Sequence, residues 1–371
     1  MRLLCILMAT SAGVSGPTVA ERLIEAGHWK RARTIVEARI REAPNEALAN
    51  FLLSQIRNAF GERTTPLALA EKAVAMDGRT AKYHRQVAEV LGVMAQHSGA
   101  IRQLFLARRF RSEIDAALAL DPSDTQALRD LVEFHLLAPG ILGGDVGKAE
   151  EMAGRIGRID AVEGYLARAR VAAFRKHTAE AGTWLRKAAE VQPPSYKARI
   201  MLAQFYLVPE HPDAGLAEKL AREALKLDSG RADAYCVLAA IYADRSEWDK
   251  LESTLAAASR EVPDDPAPYY RAADRLLAAG HDAPRAEVYL RAYLGQEPEG
   301  NEPTAADARW KAGLALEAEG RITAAIEQWK QSVRLDPESK AARELKRVRN
   351  IRPAEASNRS RESATSERMV N

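Results

Sequence analysis

The sequence has little cysteine, with only Cys5 and Cys236 among its 371 residues. Cys5 lies in an apolar run at the N-terminus and would be lost with it if that segment is a signal peptide. Cys236 lies in the apolar stretch DAYCVLAAIY, where a thiol serves as a small buried hydrophobic group. The pair has none of the close spacings of cysteine metal sites. We therefore expect neither a disulfide framework nor a zinc site built on cysteine.

Aromatic residues make up only 6% of the chain, and runs of alternating β-branched residues are absent. Ala, Leu, Arg and Glu are abundant instead, and these residues lose little side-chain entropy in a helix. The composition therefore predicts an all-α protein.

Catalytic motifs are also missing from the sequence. The seven histidines show neither the H-E-x-x-H pattern nor any other paired spacing, and there is no G-x-S-x-G element. Such patterns are needed to bring a metal ligand or a nucleophile next to its base. We therefore predict a protein that is not an enzyme, with no catalytic residue, no metal and no cofactor.

One glycine-rich stretch, PGILGGDVGKA at 139–149, is similar to a nucleotide-binding loop. The phosphate-binding pattern G-x-x-x-x-G-K-[ST] needs a glycine where this chain has Leu142 and a hydroxyl where it has Ala149. The preceding residues have helical rather than strand spacing. We predict no nucleotide site. Instead, Gly140, Gly143 and Gly144 allow a sharp turn, Asp145 caps the next helix, and Lys148 is solvated.

The net charge of +3 is unevenly distributed along the chain. Residues 339–371 hold nine basic and four acidic residues, a net charge of +5, which leaves −2 for the remainder. A nearly neutral body argues against a broad nucleic-acid surface. Residues 351–371 lack hydrophobic periodicity and are predicted to form a disordered basic tail.

The N-terminus, MRLLCILMATSAGVSGPTVAER, has the order of a secretory signal: a charge, a short apolar core and then small residues. We predict a signal peptide over residues 1–15, possibly extending to 20, and an exported protein that is periplasmic or secreted. The apolar run is too short for a stable membrane span, so no span is expected after cleavage. The alternative is a cytoplasmic protein whose first residues pack as a hydrophobic helix.

A repeated phrase runs through most of the chain, as in AGTWLRKAAEVQP, LESTLAAASREVP and AAIEQWKQSVRLDP. Its helix breakers recur at intervals of 32–39 residues, with one interval of 44. Tyr235, Leu238, Ala239 and Tyr242 have the spacing of the W-x2-L-G-x2-Y signature. On these residues the chain resembles the tetratricopeptide-repeat superfamily.

That resemblance implies a right-handed superhelical solenoid of about nine helix–turn–helix repeats over residues 16–350. The segment ESKAARELKRVRN would be a C-terminal capping helix. A small residue is expected where the two helices of a repeat cross closely. Those positions are Ser54, Ala88, Ala273 and Gly313.

The 44-residue interval predicts a long second helix followed by the glycine-rich loop, at about 98–148. The stretch GAIRQLFLARRFRSEIDAALALDP keeps helical spacing throughout. Residues 78–175 resemble a group of bacterial exported repeat proteins that have an A-P-G-I-x-G-G-D-type loop. The resemblance supports the fold and implies no particular activity.

The superfamily resemblance implies a scaffold that binds a peptide or a partner protein on its concave face. Places two, five and nine of each first helix face inward in this family. In three repeats these places are Leu48, Phe51 and Gln55, then Lys82, Arg85 and Glu89, then Gln126, Arg129 and Glu133.

Among these groove candidates, Arg85 and Arg129 could hold a carboxylate bidentately and Phe51 could be an apolar anchor. Alternatively, Arg85–Glu89 and Arg129–Glu133 are i,i+4 ion pairs that only support their helices. The alternative function is an accessory component of a cell-envelope transport or assembly machine that binds a small ligand.

Overall fold

The structure, a computed structural model, describes residues 18–300 and 303–349. These residues form eighteen α-helices and one 3-10 turn and contain no strand. The helices are α1 (Val19–Glu25), α2 (Trp29–Glu42), α3 (Ala47–Ala59), α4 (Thr65–Met76), α5 (Ala81–Gln96), α6 (Ala100–Leu120), α7 (Thr125–Leu137), α8 (Val146–Ile159), α9 (Ala161–Phe174), α10 (Thr178–Glu190), α11 (Tyr196–Phe205), α12 (Ala214–Leu227), α13 (Ala232–Asp244), α14 (Trp248–Glu261), α15 (Ala267–Ala279), α16 (Ala283–Tyr293), α17 (Ala305–Ala318) and α18 (Ile322–Leu335). The all-α prediction is confirmed.

Consecutive helices pack as pairs, from α1 with α2 to α17 with α18. From the second pair onward the first helix of a pair is the more buried: α13 buries nine of its residues, whereas α14 buries four. The largest apolar cluster extends from Leu166 to Ala315, so the core runs along the solenoid, as expected of stacked repeats. The number of pairs is consistent with about nine repeats, and residues 341–349 are also helical.

The predicted signal peptide and basic tail lie outside the described residues, apart from residues 18–20. Within residues 18–300 and 303–349, no helix has the length and apolar character that crossing a bilayer requires.

In the last pair, the small residue at the helix crossing is required for a steric reason. A Cβ atom on Gly313 would lie 2.2 Å from Nε1 of Trp329, far inside van der Waals contact. In the second pair, the hydroxyl of Ser54 donates to the carbonyl of Pro66 at 2.8 Å. Both contacts join the first helix of a pair to its second, which is where the sequence predicts close crossing.

The predicted long helix and glycine-rich turn are both present. The helix α6 has 21 residues, against 14 in α8. Beyond α7, Gly143 has φ +98°, and a Cβ on Gly144 would lie 1.8 Å from the carbonyl oxygen of Ala138. Gly140 has no such neighbour and no positive φ, so glycine is not required there.

After the turn, Asp145 begins α8 as predicted. Its Oδ1 accepts the backbone N–H groups of Gly147 and Lys148 at 2.8 and 3.2 Å. The carboxylate thereby satisfies donors that would otherwise be free at the helix start. The side chain of Lys148 is exposed, in agreement with the prediction of a solvated lysine.

One feature absent from the sequence patterns is a contact between the first helix pair and the turns before α15 and after α16, near the other end of the solenoid. Nδ1 of the buried His28 lies 3.1 Å from Oδ2 of Asp264, and Arg31 pairs with the same carboxylate. The backbone N–H of Lys30 donates to Glu299 at 2.7 Å, and Arg33 donates to Glu297 at 3.0 Å. We call these the end-to-end contact. They join basic residues near the start of α2 to acidic residues more than 230 positions away.

Reversing the acidic side of the end-to-end contact is expected to open the solenoid. In the double variant Asp264→Arg, Glu297→Arg, like charges face Arg31 and Arg33 and repel them. We expect a larger radius of gyration in small-angle X-ray scattering at low salt, with unchanged helix content. Adding Arg31→Glu and Arg33→Glu restores opposite charges and should restore the compact form. An unchanged radius in the double variant would show that these pairs do not hold the ends together.

Candidate functional site

The structure places the predicted aromatic anchor inside the protein. Phe51 is only 3% exposed, and its ring packs on Tyr83 at a centroid distance of 5.2 Å. Nζ of Lys82 lies 5.3 Å from the same ring and is ion-paired with Glu21 at 2.7 Å. Phe51 therefore supports the packing between pairs and offers no free apolar surface to a partner.

Arg85 is also buried, with 9% of its surface exposed. Its guanidinium lies 3.5 Å from Glu89 and 4.0 Å from Asp124. The prediction that Arg85 is free to bind a partner's carboxylate is therefore not supported, because its guanidinium already lies near the carboxylates of Glu89 and Asp124. The variant Arg85→Glu would place three carboxylates together in a buried place and should destabilise the fold.

The second predicted arginine pairs between repeats. Arg129 approaches Glu163 at 3.4 Å, and Glu133 receives two hydrogen bonds from Arg170 at 2.7 and 2.8 Å. Of the two i,i+4 pairs considered from sequence, the structure therefore contains only Arg85–Glu89. Among the other candidates, Leu48 and Gln55 are half-buried and Gln126 is exposed. Whether these residues bind a partner stays a prediction.

Ion pairs between successive first helices are a general feature of the solenoid. The pairs are Arg129–Glu163, Lys197–Glu163, Arg170–Glu133, Arg275–Asp244 and Lys311–Asp274. Each joins residues 31–37 positions apart in sequence. Because these charges are matched within the chain, a charged partner would have to compete with existing pairs along this surface.

A wider opening lies at the other end of the solenoid, between α15, α17 and the turn after α18. It has a volume of about 540 Å³ and is lined by residues that include Tyr270, Arg271, Asp274, Asp307, Trp310 and Lys340. We call it the C-terminal cavity. It is large enough for several side chains of a bound segment.

Several lining residues of this cavity occupy inward-facing places of their repeats. The small residues Ala273 and Gly313 occupy place eight of their repeats. Counting from them, Tyr270 and Asp274 fall at places five and nine, and Asp307 and Trp310 fall at places two and five. Places two, five and nine face inward in the tetratricopeptide family. The groove candidates predicted from the sequence came only from the repeats that contain Phe51, Arg85 and Arg129.

Asp274 and Asp307 have partners within the C-terminal cavity. Tyr270 donates a hydrogen bond to Asp307; burial, together with that carboxylate, raises the pKa of this phenol above its usual range. Nζ of Lys311 donates to Asp274 at 2.6 Å. Both aspartates are therefore satisfied by neighbours within the cavity.

Three donor groups of the C-terminal cavity are unmatched, and the carboxylates of Asp336 and Glu338 in its lining also form no ion pair with a described residue. Nε1 of Trp310 is buried and has no hydrogen-bond partner in the described part of the chain. Nζ of Lys340 lies 4.6 Å from the Trp310 ring. Neither the side chain of Lys340 nor that of the exposed Arg271 forms a hydrogen bond or an ion pair with a described residue. The cavity can therefore offer two cations and one N–H group to acceptor atoms.

Nothing in this arrangement resembles a catalytic centre. Around the C-terminal cavity we find no nucleophile held against a base, and within residues 18–300 and 303–349 no three His, Cys, Asp or Glu side chains are grouped to hold a metal ion.

The chain is similar to several solved structures. No family model and no curated protein matches the chain. A similar solved structure is the TPR protein TTC0263 of Thermus thermophilus, with 19% identity over 51% of this chain and 96% of that one, at a TM-score of 0.45. Yeast Tom70 is 13% identical to this chain; the match covers 87% of this chain and 85% of that one, at a TM-score of 0.46. A human IFIT1 dimer with m7Gppp-AAAA is 12% identical; the match covers 88% of this chain and 78% of that one, also at a TM-score of 0.46.

The helix pairs of the described residues form an all-helical repeat solenoid. The solved structures named above are tetratricopeptide-repeat proteins. At these identities the likeness concerns the fold alone. The handedness of the superhelix and the A-P-G-I-x-G-G-D resemblance stay predictions.

Proposed function

We propose that this protein is a non-catalytic scaffold that binds an acidic peptide segment of a partner protein in the C-terminal cavity. The observation that carries the proposal is the set of unmatched donors there: Arg271, Lys340 and the buried N–H of Trp310. These three groups can only donate, so they favour a ligand that presents carboxylates and backbone carbonyls, although Asp336 and Glu338 also line the cavity. Solenoids commonly use such an inner surface for binding.

The contrast with the first repeats supports this choice of site. There, Phe51 and Arg85 are buried and Arg129 is paired with Glu163, so little is free to contact a partner. In the C-terminal cavity the ring of Trp310 supplies a flat apolar surface beside the two unmatched cations. Aromatic and arginine side chains at the centre of a contact contribute most of its affinity.

Charge reversal of Arg271 and Lys340 is expected to abolish partner capture. Both side chains are exposed, so the double variant Arg271→Glu, Lys340→Glu should fold normally while repelling an acidic segment. The protein is used as bait in extracts of its native host, and the captured partner is identified. Its affinity is then measured with purified components, and we expect a loss of at least about tenfold, or ~1.4 kcal/mol.

A matched control is Lys219→Glu, Lys226→Glu, which makes the same change of charge on exposed residues of α12. This control should retain the partner at low salt. If the partner binds the Arg271, Lys340 variant as tightly as it binds the control, the C-terminal cavity is not the binding site.

The cellular location belongs to the same proposal and rests on the sequence of residues 1–20. An intact mass of the native protein that begins at Gly16 or Glu21 would support export. A retained Met1 in a cytoplasmic fraction would contradict it.

A further inference from the structure

A second cavity lies between α5, α6 and α7, next to the 3-10 turn Gly140–Leu142. Its volume is about 280 Å³, and most of its wall is apolar. Phe110 of α6 and Phe134 of α7 stack with centroids 5.5 Å apart and planes 8° apart. Val93 and Leu137 complete the apolar lining. We call it the α6 cavity, because the long helix α6 and the glycine-rich turn supply part of its wall.

Three carboxyl groups line this otherwise apolar space: Glu89, Asp130 and Glu133. Glu133 is held by both guanidinium hydrogen bonds of Arg170. Glu89 lies 3.5 Å from Arg85 and accepts from Asn58 at 3.3 Å. Two of the three carboxylates are therefore matched by the chain itself.

Asp130 is the exception. Its Oδ2 is buried and has no hydrogen-bond partner among the described residues. The pKa of Asp130 is raised to about 7, chiefly by burial; Arg85 and Arg129 lower it, and Glu89 acts in the same direction as burial. An unpaired buried carboxylate is costly for the fold, and its position at an apolar cavity suggests that its partner comes from outside the chain.

We propose that the α6 cavity binds a small organic cation. Its ammonium group would donate hydrogen bonds to Asp130, and its apolar or aromatic body would pack against Phe110 and Phe134. A charged hydrogen bond in a desolvated place gives orientation, while the apolar walls give contact area. A volume of about 280 Å³ is suited to a compact amine and is too small for a folded segment.

The cavity depends on features of this one region of the solenoid. The helix α6 is longer than the second helices around it, and Gly144 lets the turn after α7 pass against Ala138. Leu142 in the same turn and Ala138 both line the cavity. The interruption in the repeat pattern therefore has a structural consequence, which is an extra open cavity between two helix pairs.

The proposal is tested by calorimetric titration of the full chain with 2-phenylethylamine at about pH 8. The neutral analogue 2-phenylethanol and the anion phenylacetate serve as comparisons. We expect the amine to bind at least about tenfold more tightly than the alcohol, since only the amine can pair with Asp130. Phenylacetate should not bind, because the carboxylates of the cavity repel it.

The key variant is Asp130→Asn, which keeps the shape of the side chain and removes its charge. Amine affinity should fall at least about tenfold, to the level of the alcohol. The control Asp249→Asn removes an exposed carboxylate in the first turn of α14 and should leave amine affinity unchanged. Loss of folding is monitored by circular dichroism, and Phe110→Leu provides a second variant that weakens amine and alcohol together.

Three results would overturn the proposal. The first is equal affinity for the amine and the alcohol, and the second is full amine binding by Asp130→Asn. The third is no binding of 2-phenylethylamine, cyclohexylmethylamine or benzylamine at about 1 mM. The peptide proposal is separate, because Arg271→Glu, Lys340→Glu should leave amine binding unchanged.

Discussion

Replacing Trp329 by alanine is expected to lower the free energy of unfolding by about 3–5 kcal/mol. The Trp329 side chain is fully buried between α17 and α18, and its Nε1 donates to the carbonyl of Trp310 at 3.1 Å. Truncation leaves a cavity against Gly313, which has no side chain to fill it. It also removes the donor that holds the backbone of Trp310, so the C-terminal cavity should lose its shape as well.

Denaturant unfolding of the full chain measures this effect, and Trp329→Phe separates its two parts. Phenylalanine keeps most of the apolar volume but cannot donate to Trp310, so we expect a loss of about 1–2 kcal/mol. A Trp329→Ala protein as stable as Trp329→Phe would contradict the packing described for the last pair.

Asp130→Asn is expected to stabilise the protein at about pH 8, with little effect at about pH 4. In the folded chain burial raises the pKa of Asp130 to about 7, whereas in the unfolded chain it is near 3.8. A group whose pKa is raised by folding contributes fully below its unfolded pKa and loses that contribution as the pH rises through its folded pKa. The wild-type chain therefore becomes less stable between about pH 4 and 7.

The expected gain at pH 8 is about 2–4 kcal/mol, since three pKa units correspond to about 4 kcal/mol. The uncharged amide in Asp130→Asn avoids the cost of a buried charge, but it remains a buried polar group without a hydrogen-bond partner among the described residues. Arg85, Glu89, Arg129 and Asp124 surround the site and change the size of the effect. Unfolding curves at the two pH values test it, with Asp249→Asn as the control. A variant no more stable than wild type at pH 8 would show that Asp130 is not a buried, unpaired carboxylate.

The helix pairs and their turns were predictable from the sequence because their causes are local. Apolar residues at helical spacing, the small residue at Gly313, the positive φ at Gly143 and the cap at Asp145 each depend on neighbours within one or two helices. The same pattern also recurs in many repeats, so each helix pair is predicted from several copies of that pattern.

The binding surface was less predictable because burial and pairing depend on residues far along the chain. A place in a repeat predicts that Phe51, Arg85 and Arg129 face inward. It does not reveal that the ring of Tyr83 packs on Phe51. Nor does it reveal that Asp124 lies near the guanidinium of Arg85 or that Glu163 pairs with Arg129. These partners come from the loop before the next first helix or from that helix itself.

The sequence by itself determined the all-helical repeat, the long α6 and the turn after α7, because periodicity, capping and backbone sterics act over short stretches. Only the tertiary structure decided which charges are matched. The curvature of the solenoid brings His28 to Asp264, leaves Trp310 and Lys340 unmatched in one cavity, and leaves Asp130 unpaired in another. Whether a polar group finds its partner depends on distances across the fold, and no local pattern contains those distances.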